Sequence, residues 1–471
     1  MSAPTTTRRP LSRPEKGVLA LVGLVALALV VHYPIFTSGR LDVDESSIGS
    51  IAQGLLRGGH LYTNLVDRKP PIVFYLYAAS FWITGSNSLV LVRLVAVLGE
   101  VATGWLIGAA LCRELRHRVA VAALFVLGSA AFFYNDAHAA GFEVFMLLPM
   151  TLAWYWSRRG HAVLAALALV VAVLVKQPAA LTVVPVAYNL ARRPDGARRV
   201  ATMVLTAALA YLGVAAAFGL HQFLFWNISG NGSYLGVYSL IGTVGAATLS
   251  TGIYAVSHLV LVWLSAKAWP PRRPDLDLWL WLGSAFVGVV IGEHFFGHYF
   301  FQMLPPLTAL AATQIDTVDL RQCLSVAAAA TALWMGVTIA LPRPDLPPYE
   351  AVVTKVDRYA QPDQAVFVWG SYSEVTWASR RPMATRFPHT NFVTGIDQGK
   401  PTKGALSDLC HDLAHSRPAV VVDTSPADLR DAGKVPLFSV PQMAHLMRSY
   451  RMVADLNGVV VYHLVGPWSG C

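Results

Sequence analysis

The chain has 471 residues, 55% hydrophobic and only 13% charged, with a mean hydropathy of +0.49. A soluble domain carries about 25% charged residues, so this composition excludes one large soluble protein and indicates a membrane protein of many spans. The net charge of +9 sits in short basic clusters between apolar runs, the pattern of cytoplasmic loops and not of a nucleic-acid-binding surface.

Residues 1–15 read as a cytoplasmic tail, with Arg8, Arg9 and Arg13. Lys16–Phe36 follows as the first span. No small-x-small cleavage motif comes after Gly17–Val31, so a retained span is expected and not a signal peptide. Three carboxylates come next, in Leu41-Asp42-Val43-Asp44-Glu45, and then an apolar stripe of Ile48, Ile51, Ala52, Leu55 and Leu56. That 3-and-4 spacing describes one helix face, and the expected helix lies in the membrane interface. Ile72–Ile83 is a second apolar run, opened by Pro70-Pro71. At ~1.5 Å per residue it makes ~18 Å of helix, against a hydrocarbon core of ~30 Å. Read as interfacial, it places Arg113/Arg116/Arg118, Arg158/Arg159, Arg192/Arg193/Arg198/Arg199 and Arg272/Arg273 all inside, as the positive-inside rule requires. The stretch 37–88 then becomes one long external loop with two membrane-hugging helices.

The remaining predicted spans are Leu89–Leu111, Val119–Tyr134, Phe142–Trp156, Ala162–Val175, Leu181–Leu190, Val200–Leu220, Ala246–Trp269, Leu276–Phe296, Tyr299–Thr313 and Leu324–Leu341. The predicted fold class is mainly α and polytopic, with about eleven transmembrane helices over 16–341 plus the interfacial pair. A proline-rich linker, Pro342 to Pro348, leads into a changed pattern. Ala365–Trp369, Ala419–Val422 and Val459–Val465 read as strands, and Leu406–His415 as a helix. This predicts a small C-terminal α/β domain over 342–471, extracytoplasmic by span parity. Cys112, Cys323, Cys410 and Cys471 are too few for a disulfide scaffold. A Cys410–Cys471 bridge is open in an oxidising compartment, but two free thiols are expected. His411 and His415 follow Cys410 without a second close thiol, which does not make a metal site.

Taken in order, several pieces resemble a known group. They are Asp44-Glu45 after the first span, Gly58-Gly59-x-Leu61-Tyr62, Asp67-Arg68-Lys69-Pro70-Pro71 with an aromatic apolar run, and Arg93. Phe142-Glu143 after Asn135-Asp136-Ala137-His138, and His298-Tyr299-Phe300 before Pro305-Pro306, extend the likeness. The chain resembles polytopic glycosyltransferases of the GT-C fold, in the protein O-mannosyltransferase and aminoarabinose transferase group, over 16–341. The resemblance implies inverting transfer of a sugar from a polyprenyl-monophosphate carrier on the extracytoplasmic face. The aminoarabinose branch has a carboxylate directly before its Lys-Pro-Pro. Here Arg68 stands in that place, so no divalent metal is carried over.

On this reading Asp44 is the general base, because inverting transfer needs one carboxylate to take the acceptor proton. A phosphate leaving group needs no protonation near neutral pH, so one acid suffices. The structural alternative for Asp44 is a helix cap. Glu45 is a positioning group or an outward-facing residue, and Asp42 is solvated. Lys69 and Arg68 are placed on the carrier phosphate, with snorkelling toward lipid headgroups as the alternative. Arg93 joins the phosphate set, or pairs with Glu100 seven residues on. Glu143 can orient the acceptor or a sugar hydroxyl, or serve as an acidic helix start. Lys176, at the Lys176-Gln177-Pro178 break, can reach the phosphate. Tyr62, His138, His298 and Tyr299 are assigned to the substrate cavity. His221 and His294 read as structural, and Trp226 and Tyr234 as interfacial aromatics. Asn227-Ile228-Ser229 and Asn231-Gly232-Ser233 match the glycosylation pattern by chance as easily as by design. The expected partners are the lipid-linked donor, membrane lipids and an extracytoplasmic acceptor, which is a lipid, a cell-wall glycan or a protein. The competing classes are a transporter or flippase, which should show paired broken helices in two related halves, and a non-catalytic scaffold. Only one break is visible.

Overall fold

The computed structural model of the protein describes residues 12–37, 42–131, 140–230, 240–340, 348–396 and 399–471. It is a mainly helical body carrying one small sheet.

The first-loop helix forms over Val43–Leu56. Asp42 caps it, its side chain accepting the Asp44 N–H at 2.7 Å. Asp42 is therefore not merely solvated, and the cap role weighed for Asp44 falls one turn-start earlier. Ile48, Ile51 and Ala52 are buried as their spacing predicts, while Leu56 at the last turn is exposed. The opposite face is covered as well: Glu45, Ser46, Ser47, Ser50 and Gln53 are all buried. Ser46, Ser47, Ser50 and Gln53 face a second helix, Ser373–Ser379, from the far end of the chain. Ser46 and Ser47 each place their Oγ 2.8 Å from Ser373 Oγ, and Ser50 Oγ lies 2.9 Å from Thr376 Oγ1. The second predicted interfacial helix forms over Ile72–Thr84 and stops at Gly85, whose φ of +61° suits a residue without Cβ.

Among the described residues, Pro14–Val31, Val90–Leu111, Gly196–Ala217 and Leu320–Val337 are long and apolar enough to cross a membrane. The predicted span Ala246–Trp269 is instead broken, with Ile241–Ser257 and Leu259–Lys267 meeting at 89°. Buried His258 stands at the break, its ring nitrogens 2.9 Å from the Tyr254 and Gly128 carbonyl oxygens. Other predicted spans fold as shorter helices: Leu115–Ala130, Phe142–Arg158, Ala162–Val175, Val183–Ala191, Leu276–Val290 and Leu304–Ala312.

Glu100 does not pair with Arg93. Seven residues of helix separate them by ~10 Å along the axis, and each finds a nearer partner. Glu100 meets His32 at 3.0 Å and accepts from Ser129 Oγ at 3.0 Å. Asn227 is buried, with its Nδ2 donating to Phe223 O, so its glycosylation pattern is not available as an acceptor. Tyr234 and Asn231 lie outside the described residues.

The sheet has four strands, β1 (Val366–Trp369), β2 (Val420–Asp423), β3 (Tyr450–Leu456) and β4 (Val459–Leu464), in the order β1-β2-β4-β3. β1 and β2 are parallel, and the other pairs antiparallel. The three predicted strands are the buried ones. β3 lies at the edge with Arg451 and Met452 exposed, so it has no continuous apolar run to read. The predicted helix forms over Ala405–Ser416. Cys410 on that helix is bonded to Cys471, which corrects the expectation of two free thiols. Folding brings the two Cα atoms to 5.3 Å across a separation of 61 residues, a proximity that sequence spacing cannot express. Cys112 and Cys323 are free and buried.

Closing a loop of 61 residues restricts the unfolded chain by up to about 4 kcal/mol. Cys471→Ser, and reduction of the native protein, should therefore both lower the thermal unfolding temperature. A reduced protein that melts where the oxidised one does would show that the bond contributes nothing.

Candidate active site

Asp44 lies in the first turn of the Val43–Leu56 helix, and Lys69 in the turn before Pro70. Lys69 Nζ donates to Asp44 Oδ1 at 3.0 Å, with both side chains a little under one-third exposed. The turn that presents Lys69 is fixed from two sides. Asp67 Oδ1 accepts the Lys69 N–H at 3.1 Å, and Tyr62 Oη donates to the Lys69 carbonyl at 2.9 Å. Tyr62 is buried with φ +66°, so it serves the turn from behind. Lys69 Nζ also stands 4.8 Å from the centre of the Phe142 ring.

Glu143, in the first turn of Phe142–Arg158, forms an ion pair with Lys176. Lys176 ends Ala162–Val175, where Pro178 prevents a regular continuation and a 3₁₀ turn takes over. Its Nζ lies 4.5 Å above the Tyr299 ring. His298 Nε2 is 3.5 Å from Glu143 Oε1. Three segments far apart in sequence thus meet at one point.

A cavity of about 880 Å³ opens here. One part of its wall is polar, with Asp67, Arg68, Lys69, Glu143, Lys176 and Tyr299. The rest is an apolar chute lined by Met146, Leu169, Val170, Val173 and Ile291, among others. Arg68 is buried; its Nη2 donates to Thr402 Oγ1 at 2.6 Å, and its guanidinium lies 5.0 Å from the Phe392 ring centre.

Of the site residues expected from sequence, Lys69, Arg68, Glu143, Lys176 and Tyr299 line this cavity, and Asp44 and His298 touch its polar groups. Tyr62 is one layer behind. Glu45 and Arg93 turn away from it, toward each other. Arg93 Nε donates to Glu45 Oε1 at 2.9 Å, and a second, shorter bond joins Nη2 to Oε2. Arg93 also reaches the Ile35 carbonyl, and Glu45 accepts the Ala140 N–H at 3.0 Å. The pair satisfies itself and ties the Val43–Leu56 helix to Val90–Leu111. His138 lies outside the described residues. Sequence reasoning passed over Asp67, Gln177, His389 and Phe392, all of which line the cavity. Asp67 could have been found in the Asp67-Arg68-Lys69-Pro70-Pro71 motif. His389 has no local signal.

Burial alone would push the Asp44 carboxyl up. Lys69 first, then His298 and Lys176, outweigh it and hold Asp44 well below the usual carboxylate range. Asp67 goes the other way: burial raises it, Asp44 adds to the rise, and Lys69 only partly opposes. Among the described residues, no group of three or more His, Cys, Asp or Glu side chains is placed to hold a metal. The arrangement is a cationic shelf over an apolar chute, with the ionised Asp44 carboxylate at its rim. It suits an anionic headgroup on a long apolar chain.

The same architecture occurs in ArnT, the aminoarabinose transferase, from Cupriavidus metallidurans. Its structure bound to undecaprenyl phosphate aligns with a TM-score of 0.63 at 18% identity, covering 96% of this chain and 99% of that one. Its apo structure aligns at 0.61 and 17%, covering 97% and 100%. This chain has the GT-C fold. The arabinofuranosyltransferase AftD from Mycobacteria shares the GT-C fold at a TM-score of 0.52 and 16% identity, covering 97% of this chain and 42% of the larger one. No family model matches the chain, and no curated protein matches it in sequence. At these identities the likeness is one of fold, and the chemistry has to come from the residues.

Two ion pairs within this GT-C fold should respond differently to loss of their cation. Arg93→Met strands buried Glu45 and should destabilise the protein by ~3–5 kcal/mol. Lys69→Met opens a pair that water already reaches, at a cost of under ~1 kcal/mol. Thermal unfolding in detergent measures both. Equal losses would mean that Lys69 is as structural as Arg93.

Proposed function

We propose that the protein is an integral-membrane inverting glycosyltransferase that moves a sugar from a polyprenyl-phosphate carrier to an extracytoplasmic acceptor. The observation that carries this reading is the Asp44–Lys69 contact of 3.0 Å, on the rim of a cavity that joins three cations to an apolar chute. In this proposal the helices of 16–341, about eleven spans, form the catalytic body, the N-terminus is cytoplasmic, and 342–471 lie outside the membrane on the reaction side.

The carrier phosphate takes Lys69, Arg68 and Lys176, and the polyprenyl chain follows the apolar wall. Arg offers a planar fork to phosphate oxygens, and lysine a compact charge. The acceptor hydroxyl oxygen attacks the anomeric carbon from the face opposite the phosphate, which inverts that centre. As the new C–O bond forms, the bond to the phosphate oxygen breaks. Polyprenyl phosphate leaves with the electron pair, and Asp44 takes the hydroxyl proton. Glu143 holds Lys176 and His298 in place. Glu45 and Arg93 hold the helix that aims Asp44.

Lys69 has two tasks, and they are coupled. In the empty site it keeps Asp44 ionised but a weak base. The arriving donor is a phosphodiester with a single negative charge; that anion shares Lys69, loosens its hold on Asp44, and raises the basicity of the carboxylate toward the working pH. The base is thereby armed by the donor.

Asp44→Asn, with normal membrane insertion and an unchanged melting temperature, should lower transfer by ~10²–10⁴-fold. Full activity in that variant would remove Asp44 from the chemistry. Lys69→Met takes away the strongest charge that opposes burial, so the Asp44 pKa rises. The acid limb of its residual activity should then move to higher pH by roughly 1–3 units; a limb that stays in place would contradict the coupling. Cells lacking the protein should accumulate a polyprenyl-phosphate sugar, which mass analysis of extracted lipids will identify.

A further inference from the structure

The sheet-bearing segment contributes His389 and Phe392 to the cavity wall, and His389 is the polar one of the two. Its backbone neighbours are clamped to the carboxyl end of β1. The Gly370 N–H donates to Thr390 Oγ1 at 2.8 Å, the Thr390 N–H returns to the Gly370 carbonyl at 3.2 Å, and Ser371 Oγ donates to Asn391 Oδ1 at 2.8 Å. A few residues upstream, the Arg386 carbonyl accepts the Val66 N–H at 2.8 Å, which ties this segment to the turn that carries Arg68 and Lys69. Between those ties His389 and Phe392 project into the cavity lining. Their rings stack at 5.1 Å and 21°. Phe392 in turn receives the Arg68 guanidinium.

The ring is held firmly, yet its Nδ1 is buried with no hydrogen-bond partner among the described residues. Buried polar atoms are nearly always paired, and a rigidly clamped imidazole on a cavity wall with a nitrogen left over implies a partner that arrives later. The charged groups acting on it are Lys69, Arg68, Arg430 and Asp44. Burial first, then Lys69 and Arg68, push its pKa down to about 3. His389 is therefore a neutral imidazole. In the empty site it carries no charge to offer a phosphate. A neutral ring donates from one nitrogen and accepts at the other, which matches a hydroxyl group.

We propose that His389 binds a substrate hydroxyl, either of the donor's sugar or of the acceptor, beside the phosphate held by Lys69 and Arg68. This rests on the glycosyl-transfer reading above.

The test uses purified full-length protein in detergent with three probes of equal charge: undecaprenyl methyl phosphate as the bare lipid, and undecaprenyl phosphate carrying arabinose or mannose. Wild type should bind at least one sugar-bearing lipid about 10-fold more tightly than the bare one, the worth of one or two well-placed hydrogen bonds. His389→Phe, with an unchanged melting temperature, should lose that preference and keep the bare-lipid affinity, and His389→Gln should keep part of it. If the preference survives in His389→Phe but cells carrying it accumulate the lipid-linked sugar, the hydroxyl belongs to the acceptor, and the proposal holds with that source. Weakened binding of the bare lipid, as expected for Lys69→Met, would make His389 a phosphate ligand and overturn the proposal. So would unchanged preference with no accumulation, which leaves only a wall residue. A wild type that binds none of the three lipids sinks the carrier reading itself, and this inference with it, before any His389 variant is compared.

Discussion

The site depends on keeping one ion pair partly wet. Asp44 and Lys69 meet at 3.0 Å where each is still partly exposed. A pair in that position is weak as a staple, because water and counter-ions screen it. It is also exchangeable, and a phosphate can enter it without first breaking a buried salt bridge. Much of the surrounding construction holds these two side chains without burying them. The Asp42 cap sets the helix start, the Asp67 side chain and Tyr62 hydroxyl brace the Lys69 turn, and Phe142 offers the ammonium an aromatic face.

Two adjacent carboxylates divide the work by geometry. Successive helix residues project roughly 100° apart. Asp44 consequently reaches the cavity rim while Glu45 enters the core. There Glu45 meets Arg93 and the Ala140 N–H and is fully buried. A buried bidentate pair adds little net stability over an apolar contact, but breaking it is costly. It fixes where the helix sits. The same residue class becomes a chemical group in one position and a locating pin in the next.

The sheet-bearing segment docks on that helix through small polar side chains. Gly49 permits the approach: a Cβ there would stand 2.5 Å from Trp377 Cδ1. Ser373 bridges Ser46 and Ser47, and Gln53 donates to the Trp377 carbonyl. The contact is directional, so it sets the orientation as well as the distance. It places the carboxyl end of β1, and the His389 segment clamped to it, over the cavity that the helices open.

Local order was legible where local forces decide it. Apolar periodicity found the face of the Val43–Leu56 helix, flanking prolines located Ile72–Thr84 to within a residue, and the Lys176-Gln177-Pro178 break marked the end of Ala162–Val175. The first-loop motif, read by resemblance, pointed to the GT-C fold and to Asp44, Lys69 and Arg68. Pairing was decided only in three dimensions. Arg93 with Glu45 and not Glu100, Glu143 with Lys176, Cys410 with Cys471, and His389 beside Arg68 all join residues that no spacing rule connects. The physical reason is that helix and strand formation is governed by neighbours within a turn or two. Ion pairs, disulfides and cavity walls depend on how whole elements pack, and a charged side chain bonds whichever partner that packing brings within about 3 Å.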